Sequence, residues 1–264
     1  MTRTTFEQTR PDGYLTRLAE SDLGQSYKSL ATDQLGIHSG DVVVDLGCGP
    51  GADLSAFARA AGSTGTVIGL DSDPATVEQA RTQAATFPSV EVRVADIHAL
   101  DLPDGSIDRI HTDRVLQHVA DPAAVLREAR RVLRPTGRAV FAEPDWDTLV
   151  IDYPDLHTAR AYRRFVTDRV VRNACIGHQV PRLTDEAGFA VARVVPITTA
   201  FRDAGAADQV LGLRRVTERA VAAGYLDTDT AKAWLDYLAT RPFFASVTLF
   251  VVVAHPTGDA SAAS

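Results

Sequence analysis

The sequence has little of what marks exported, membrane-spanning or zinc-binding proteins. Its 264 residues include two cysteines, Cys48 and Cys175, which are too few for a disulfide framework or a zinc site. Segment 1–10 lacks the apolar core of a signal peptide, and the most hydrophobic stretch, 247–254, is far shorter than the roughly 18 residues that cross a bilayer. We therefore expect a cytoplasmic protein without a membrane span.

Positive charge is also scarce. The chain has 27 basic and 34 acidic residues, a formal net charge of −7, and lysine occurs only as Lys28 and Lys232. This balance argues against binding to nucleic acid or to an anionic membrane. The apolar share of 45% and the charged share of 23% are typical of a globular protein. We expect a small-molecule partner, and a homodimer stays open because edge strands and helices can pair without a readable pattern.

Short apolar runs alternate with helical patterns through the first half of the chain. Two of the helices begin at Asp-Pro pairs, Asp73 and Asp121 being the N-caps. Strands that alternate with helices in this way imply right-handed crossovers and a parallel sheet covered on both faces. The pattern therefore predicts an α/β fold of the doubly wound class. The strands predicted in this part are 41–45, 66–70, 90–94, 107–112 and 139–142.

The rest of the chain divides by the same patterns into segments around this core. No strand is predicted between 144 and 187, and a helix is expected there. Strands are predicted at 191–199 and 243–254, with helices at 206–223 and 228–240 between them. The predicted segments are an N-terminal helical lid (1–38), a ligand-binding core (39–143), a helical cap insert (144–187), completion of the sheet (188–254) with a helical insert (203–241), and a disordered tail (255–264).

The strongest local signal is the glycine-rich turn that follows the first strand. It contains Gly47, Gly49 and Gly51, spaced two apart, and Asp45 lies just before it. Glycines let the backbone approach a ligand closely. A dinucleotide fingerprint would instead read G-x-G-x-x-G, and a carboxylate beside the loop suits a ligand ammonium and repels a phosphate. An NAD-dependent oxidoreductase therefore fits this loop poorly.

Two further acidic residues follow the next strands. Asp71, followed by Ser72, ends the second strand, where a carboxylate can accept hydrogen bonds from both hydroxyls of a ribose. After the third strand, Asp96 can accept from an exocyclic amine while Ile97 covers a purine face. With the glycine loop, these sites describe a ligand with an amino-acid end, a ribose and an adenine, which is S-adenosylmethionine.

Five segments carry a resemblance to a known family: VDLGCGPG, LDSDP, VADIHALDLPDGSID, DRVLQHVADP and RVLRPTGRAVFAEP. In order and spacing they resemble a class I S-adenosylmethionine-dependent methyltransferase, within it most similar to the group of ubiquinone and menaquinone biosynthesis enzymes. The resemblance is close over 40–143. It implies a Rossmann-like, doubly wound, seven-stranded sheet whose last strand is antiparallel between its neighbours, with helical cap inserts.

The resemblance also implies roles for individual residues in binding S-adenosylmethionine. By position, the loop glycines would lie against the methionine moiety. The cofactor-binding residues implied are Asp45, Gly47, Gly49, Gly51, Asp71 with Ser72, Asp96 with Ile97, Asp113 or Arg114 at the amino or carboxylate group, and Tyr14 closing over it from the lid. No acidic cluster for a divalent metal is evident, so we expect transfer without a metal.

The sequence leaves catalysis and the acceptor open. Methyl transfer is an in-line displacement, so a base is needed only if the acceptor must lose a proton. Candidates are His118, Asp145 and His178, with His111 and Asp113 as further titratable groups, and the sequence identifies no partner for any of them. Cys48 and Cys175 are interpreted as packing residues. Trp146 and Tyr162 are candidates for lining an acceptor pocket.

The predicted function is methyl transfer to a small aromatic, quinone-like or polyketide-like acceptor, with O-, N- or C-methylation unresolved. One alternative is a cyclase or pericyclic catalyst that binds the cofactor without transferring its methyl group. Another is a non-catalytic cofactor-binding module.

Overall fold

The computed structural model describes residues 22–258 of the chain. Tyr14, which is expected to close over the cofactor, lies outside the described residues, as do most of the predicted lid and the end of the predicted tail. Among the described helices, none has both the length and the apolar composition that crossing a bilayer would require.

A single seven-stranded sheet forms the centre of the molecule, with the strand order β3-β2-β1-β4-β5-β7-β6. Strands β1 to β5 are parallel, and β7 lies antiparallel between β5 and β6. This topology confirms the predicted fold. The strands are β1 (Val42–Leu46), β2 (Thr66–Asp71), β3 (Val90–Val94), β4 (Ile107–Asp113), β5 (Leu133–Ile151), β6 (Phe189–Phe201) and β7 (Ala245–Pro256).

Helices connect the strands, and two begin at the predicted caps. The carboxylate of Asp73 accepts from the amides of Ala75 and Thr76, and that of Asp121 accepts from Ala124. The described helices are α1 (Asp22–Leu35), α2 (Leu54–Ala61), α3 (Pro74–Ala84), α4 (Pro122–Val132), α5 (Leu156–Phe165) with a π-helical turn (Val166–Val170), α6 (Ile176–Glu186), α7 (Ala204–Leu211), α8 (Leu213–Ala222) and α9 (Thr228–Thr240).

The strand order reverses between β1 and β4, and this reversal positions the site. From β1 the chain moves outward through β2 and β3, and then returns to add β4 on the other side. In open α/β sheets, ligands bind in the crevice outside the carboxyl ends of the strands at such a reversal. The loops after β1, β2 and β4 therefore meet at one edge.

Strand β5 is far longer than the sequence predicts. The expected strand covers 139–142 and the cap is expected to begin at 144, but β5 continues to Ile151. Segment 144–151 carries polar residues that hide the strand pattern, and antiparallel pairing with β7 stabilises it. Between Asp145 and Val150 the register shifts, with five steps along β5 facing the two steps from Thr248 to Ser246 on β7. This bulge directs residues of β5 out of the ladder.

Two other expectations are corrected. The helix predicted at 206–223 is broken into α7 and α8 by Gly212, whose φ is +63°. The tail is predicted to be disordered from 255, but its first residues are ordered, because β7 extends to Pro256 and the Thr257 amide donates to the carbonyl of Gly188 at 3.0 Å.

The helical segments after β5 and after β6 pack together and share one hydrophobic core. We call this unit the cap; it comprises α5, the π-helical turn and α7 to α9. Its core is separate from the clusters that hold the two helical layers on the sheet. The largest fully buried side chains of this core are Trp234 and Tyr162.

Candidate active site

The glycine loop after β1 is fixed on one side and open on another. The amides of Gly47 and Cys48 both donate to the carbonyl of Leu70 on β2, at 2.7 and 2.9 Å. A Cβ on Gly47 would lie 2.5 Å from the Val115 side chain, whereas one on Gly49 would meet no other described atom within 4 Å. The loop thus leaves space beside Gly49 that a ligand can occupy. All three loop glycines have positive φ: +73° at Gly47, +54° at Gly49 and +90° at Gly51.

Asp71 joins the second predicted subsite to the glycine loop. Its Oδ2 accepts from the Gly49 amide at 3.0 Å, and its Oδ1 accepts from the Asp73 amide at 3.0 Å. The side chain is half-buried, and Ser72 beside it is exposed. Each carboxylate oxygen has a further lone pair, so Asp71 can hold the loop and still accept from a ligand hydroxyl.

The third predicted subsite follows β3. Asp96 is exposed, and its Oδ1 accepts from the His98 amide at 2.9 Å and lies 2.6 Å from His98 Nδ1. The hydrogen bond from the His98 backbone amide, and then the contact with the His98 ring, lower the pKa of Asp96. Ile97 is buried among the apolar residues beneath this loop. The structure therefore presents the carboxylate of this pair at the surface, and most of Ile97 lies in the core.

Asp45 is buried behind the glycine loop and pairs with a histidine. Its Oδ1 lies 2.8 Å from Nδ1 of His111 on β4, and both residues are almost fully buried. Burial raises the pKa of Asp45, with the His111 attraction opposing it. Burial disfavours the charged His111, but the attraction of Asp45 outweighs it and raises the pKa of His111. Asp45 is thus buried against His111, and its contact with the cofactor stays a prediction.

A charged cluster lies where α1 meets the ends of β1 and β4. Lys28 Nζ is 2.5 Å from Asp53 Oδ2 and 2.6 Å from Asp113 Oδ2, and the Tyr27 hydroxyl donates to Asp113 at 2.9 Å. Burial opposes ionisation of Asp113, but the attraction of Lys28 and Arg114 outweighs it and lowers the pKa of Asp113. Burial likewise disfavours the charged Lys28, yet Asp113 and Asp53 raise its pKa. The cluster thus holds two carboxylates and two cations at the crevice.

Three groups in this region come close enough to share a cation. Single ligand atoms of Asp45, Asp53 and His111 lie within 4.8 Å of one another. Asp53 already bonds to the Lys28 ammonium, and Asp45 already bonds to His111. The Lys28 ammonium therefore already balances the charge of Asp53 in this group of three residues. The expectation of methyl transfer without a metal stays a prediction.

The turn after β4 is strained and is held by a buried carboxylate. Arg114 has a φ of +58°, the one positive value among the described non-glycine residues, and its amide donates to the carbonyl of Ala142 at 2.8 Å. Burial raises the pKa of Glu143 to about 8, with its amide hydrogen bonds opposing the shift. Strain of this kind persists only where the surroundings fix the backbone. The amides that donate to Glu143 are those of Val115 (2.8 Å), Leu116 (2.7 Å) and Gln117 (3.3 Å).

The same turn is bonded to β5 and to the segment that precedes α6. Trp146 Nε1 donates to Gln117 Oε1 at 2.9 Å, and Trp146 is itself mostly buried. The Asn173 amide group donates to the carbonyls of Leu116 and Val119, at 2.7 and 2.9 Å. Gln117, Trp146 and Asn173 thus form one hydrogen-bonded wall beside the carboxyl end of β4.

Two of the catalytic candidates are partners in the structure. Asp145 is fully buried, and its Oδ2 accepts from the His178 amide at 2.8 Å and contacts His178 Nδ1. His178 lies in the first turn of α6, with its side chain 52% exposed. His118, by contrast, is half-buried in the turn after β4, where its amide donates to the carbonyl of Val115 at 2.9 Å.

The remaining candidates occupy packing positions. Tyr162 has no exposed surface; its hydroxyl donates to the carbonyl of Leu211 at 3.2 Å and its ring lies 5.6 Å from that of Trp234. These contacts place Tyr162 inside the cap core and not on an open surface. Cys48 Sγ would lie 3.0 Å from a Cβ at position 69, and burial raises the pKa of its thiol, as it does that of the half-buried Cys175.

Sequence reasoning missed two residues of this site. Lys28 enters it from α1, and its rarity in an arginine-rich chain was the available signal. Glu143 ends an apolar run, and a lone acid in such a run is a signal for a buried carboxylate that binds amides. Neither signal names the partners, because those partners lie far away along the chain.

Comparison with known families identifies the class. A family described as a methyltransferase domain matches residues 37–188. The chain belongs to this family, which confirms the resemblance to class I S-adenosylmethionine-dependent methyltransferases and, with it, S-adenosylmethionine as the cofactor.

Relatives extend this finding. The chain is 60% identical over 254 residues to an uncharacterized 37.1 kDa protein of transposon TN4556 from Streptomyces fradiae. This alignment covers 96% of this chain and 74% of the relative. It is 31% identical over 156 residues to a 2-phytyl-1,4-naphtoquinone methyltransferase of Trichormus variabilis, covering 56% and 64%. It is 32% identical over 117 residues to a Staphylococcus aureus demethylmenaquinone methyltransferase, covering 44% and 48%. The chain therefore spans less than two thirds of the length of either named enzyme. These matches confirm the predicted relation to the group of quinone biosynthesis methyltransferases.

Solved structures support the fold. The YcgJ protein of Bacillus subtilis matches with a TM-score of 0.63 at 16% identity, covering 89% of this chain and 99% of that one. The [4+2]-cyclase SpnF matches with a TM-score of 0.57 at 17% identity, covering 89% and 82%. At these identities the likeness concerns the fold alone.

Proposed function

We propose that this protein transfers the methyl group of S-adenosylmethionine to a small aromatic, quinone-like or polyketide-like acceptor. The observation that carries the proposal is the bond between the Gly49 amide and Asp71, which unites the glycine loop and the second-strand carboxylate at the edge where the strand order reverses. The open side of Gly49 supplies the space that a ligand backbone or sulfur chain needs.

The residues around this edge fit the parts of the cofactor. Asp71 would accept from the ribose hydroxyls, and Asp96 from the adenine amine with Ile97 beneath. Asp113 would hold the ammonium of the methionine end, and Arg114 and Lys28 its carboxylate. Opposite charges in a partly buried site favour such pairing. Asp45 takes a supporting role through His111.

When bound, S-adenosylmethionine supplies a methyl group activated by a positively charged sulfur. The chain's own task is to align an acceptor with that group and to keep water out. Trp146 and the segment before α6 form a wall on the side of β4 and β5, where an acceptor would enter. The names of the two quinone methyltransferase relatives support an aromatic acceptor of related shape.

The first test is calorimetry of the wild-type protein with S-adenosylmethionine, S-adenosylhomocysteine and NAD under identical conditions. The proposal expects binding of the first two ligands and none of NAD. Binding of NAD alone, or of no ligand, would overturn it. Release of S-adenosylhomocysteine during turnover then distinguishes methyl transfer from cyclase or pericyclic catalysis.

A further inference from the structure

The pairing of Asp145 with His178 has the geometry of a base held by a buried carboxylate. Asp145 accepts two backbone N–H groups, that of His178 at 2.8 Å and that of Asp147 at 3.0 Å, and its Oδ2 also contacts Nδ1 of the His178 ring. Where the Asp145 oxygen is the acceptor of this contact, Nδ1 must carry the ring proton, and this tautomer is the one that the inference requires. In the neutral imidazole this leaves the lone pair on Nε2, at the end of the ring away from Asp145.

The neighbouring backbone permits this approach. A Cβ on Gly177 would lie 2.7 Å from the Cβ of Asp145 and 2.9 Å from its amide nitrogen. Only glycine lets the first turn of α6 come so close to β5. The bulge after Asp145 turns this part of β5 away from regular pairing with β7. Two local features of the backbone, one on each element, thus bring the pair together.

The pair lies beside the expected path of an acceptor. Asp145 follows Glu143 by two residues, and Glu143 binds the amides of the turn after β4. Asn173 ties the segment before α6 to the same turn. The Asp145–His178 pair therefore lies near the turn at the carboxyl end of β4, and the side chain of His178 is half-exposed, so the inference places the acceptor beside it.

We propose that His178 is the catalytic base for an acceptor with an acidic hydroxyl, a phenol or an enol, and that Asp145 is its positioning residue. The inference rests on the proposed function. His178 Nε2 takes the hydroxyl proton, and the electron pair left on oxygen forms the bond to the methyl carbon. The electron pair of the broken sulfur–carbon bond stays on sulfur. The products are a methyl ether and S-adenosylhomocysteine, and the proton passes from His178 to solvent.

A simpler role for Asp145 is to cap α6, since it binds an amide in the first turn of that helix. A cap alone does not require the ring of His178 to bond to the same oxygen. The two roles lead to different expectations for His178. If Asp145 is only a cap, neither the tautomer of His178 nor its substitution should affect activity. If His178 is the base, its Nε2 must be unprotonated.

The first experiment reads the tautomer without any acceptor. Protein labelled with ¹⁵N in histidine gives long-range ¹H–¹⁵N spectra, and the His178 signals are assigned by their loss in His178→Gln. We expect a protonated Nδ1 and an unprotonated Nε2 in the wild type, and a mixture of tautomers in Asp145→Asn. A wild-type His178 that carries its proton on Nε2 would overturn the proposal.

The second experiment measures release of S-adenosylhomocysteine with matched naphthols, naphthylamines and naphthalenethiols. We expect turnover of the naphthols, with kcat about 10²- to 10⁴-fold lower in His178→Gln, because a positioned base contributes this much. His157→Gln is the matched control, an exposed histidine on α5, and should match the wild type. Turnover confined to amines or thiols, or an unchanged kcat with naphthols in His178→Gln, would contradict the proposal.

Calorimetry separates this inference from the proposed function. His178→Gln and Asp145→Asn should bind S-adenosylhomocysteine within about twofold of the wild type, because neither residue is assigned to the cofactor. The His178 variant removes only a half-exposed side chain, so it stays informative if Asp145→Asn fails to fold. If the wild type binds no S-adenosylhomocysteine, the proposed function fails, while the tautomer measurement still decides the geometry of the pair.

Discussion

Two regions of the molecule differ in how their contacts are distributed along the chain. In the cofactor half, residues 39–143, the subsites follow successive strands, and the bond between Gly49 and Asp71 spans one strand–helix–strand unit. In the C-terminal half, residues 144–258, the bonds join separate elements. Asp145 meets a residue 33 positions away, and Tyr162 one 49 positions away. The predicted subsites of the first half follow from local rules, whereas the pairs of the second half depend on tertiary packing, as does the Asp45–His111 bond of the first half, which spans 66 positions.

The largest expected effect tests whether the cap has its own stability. Trp234 is fully buried in the cap core, and its Nε1 donates to Thr217 Oγ1 at 3.2 Å. Replacing it with alanine, Trp234→Ala, should lower the free energy of unfolding by about 3–5 kcal/mol, because it removes a large buried ring and leaves a cavity. Denaturant unfolding measures this loss. Affinity for S-adenosylhomocysteine should stay within about threefold, since the proposed cofactor subsites lie in the other half.

Leu156→Ala is the control in the same unit, since Leu156 is 58% exposed at the start of α5. It should change the stability by less than about 0.5 kcal/mol. A collapse of cofactor affinity in Trp234→Ala under conditions where the protein is folded would show that the two halves are not separable, and the comparison would fail.

The limits of sequence reasoning follow from the same difference. The glycine loop, Asp71 and Asp96 could be proposed as subsites from the sequence because each lies next to its own strand, where position alone fixes the edge of the sheet. The extension of β5 was missed because the pairing that stabilises it comes from β7, about a hundred residues later. The roles of Lys28 and Glu143 were missed for the same reason, since a side chain's distant partner leaves no periodic pattern.

The charged cluster around Lys28 sharpens the comparison, because Lys28 lies on α1, outside residues 39–143, and bonds to two carboxylates of the cofactor half. Lys28→Met leaves Asp53 and Asp113 without their shared ammonium. We expect a loss of about 3 kcal/mol in the free energy of unfolding at neutral pH, as when one partner of a buried ion pair is removed. Lys232→Met, at the other lysine, which is exposed on α9, should have little effect.

The pH dependence of this loss has a definite sign. Because the pKa of Asp113 is lowered in the folded protein, its contribution to stability is present above about 3.9, the ordinary pKa of Asp, and is lost as the pH falls below it. The difference between the wild type and Lys28→Met should therefore narrow in acid. A difference that is constant with pH would show that Asp113 does not depend on Lys28.

A smaller effect is expected at Asp71, the residue proposed to bind the ribose. Asp71→Asn keeps an oxygen for the Gly49 amide but loses the charge that would bind ribose hydroxyls. Calorimetry should show weaker binding of S-adenosylhomocysteine by about 1–3 kcal/mol, or about 5- to 150-fold. Asp101→Asn, an exposed acid after β3, serves as the control. Equal affinities of the two variants would remove Asp71 from the ribose subsite.

The smallest effect is expected at Cys48, which lies within the glycine loop yet is assigned to packing. Its side chain is 8% exposed, and burial raises the pKa of its thiol, which disfavours the reactive thiolate. Iodoacetamide should therefore modify the more accessible Cys175 first, as peptide mapping by mass spectrometry can show. Cys48→Ala should cost about 1 kcal/mol of stability and leave cofactor affinity within about twofold, because the loop is held by backbone bonds to Leu70. Prior modification of Cys48 would mean that the loop opens far more than its hydrogen bonds imply, and the ordered edge of the cofactor half would then be the less rigid of the two regions.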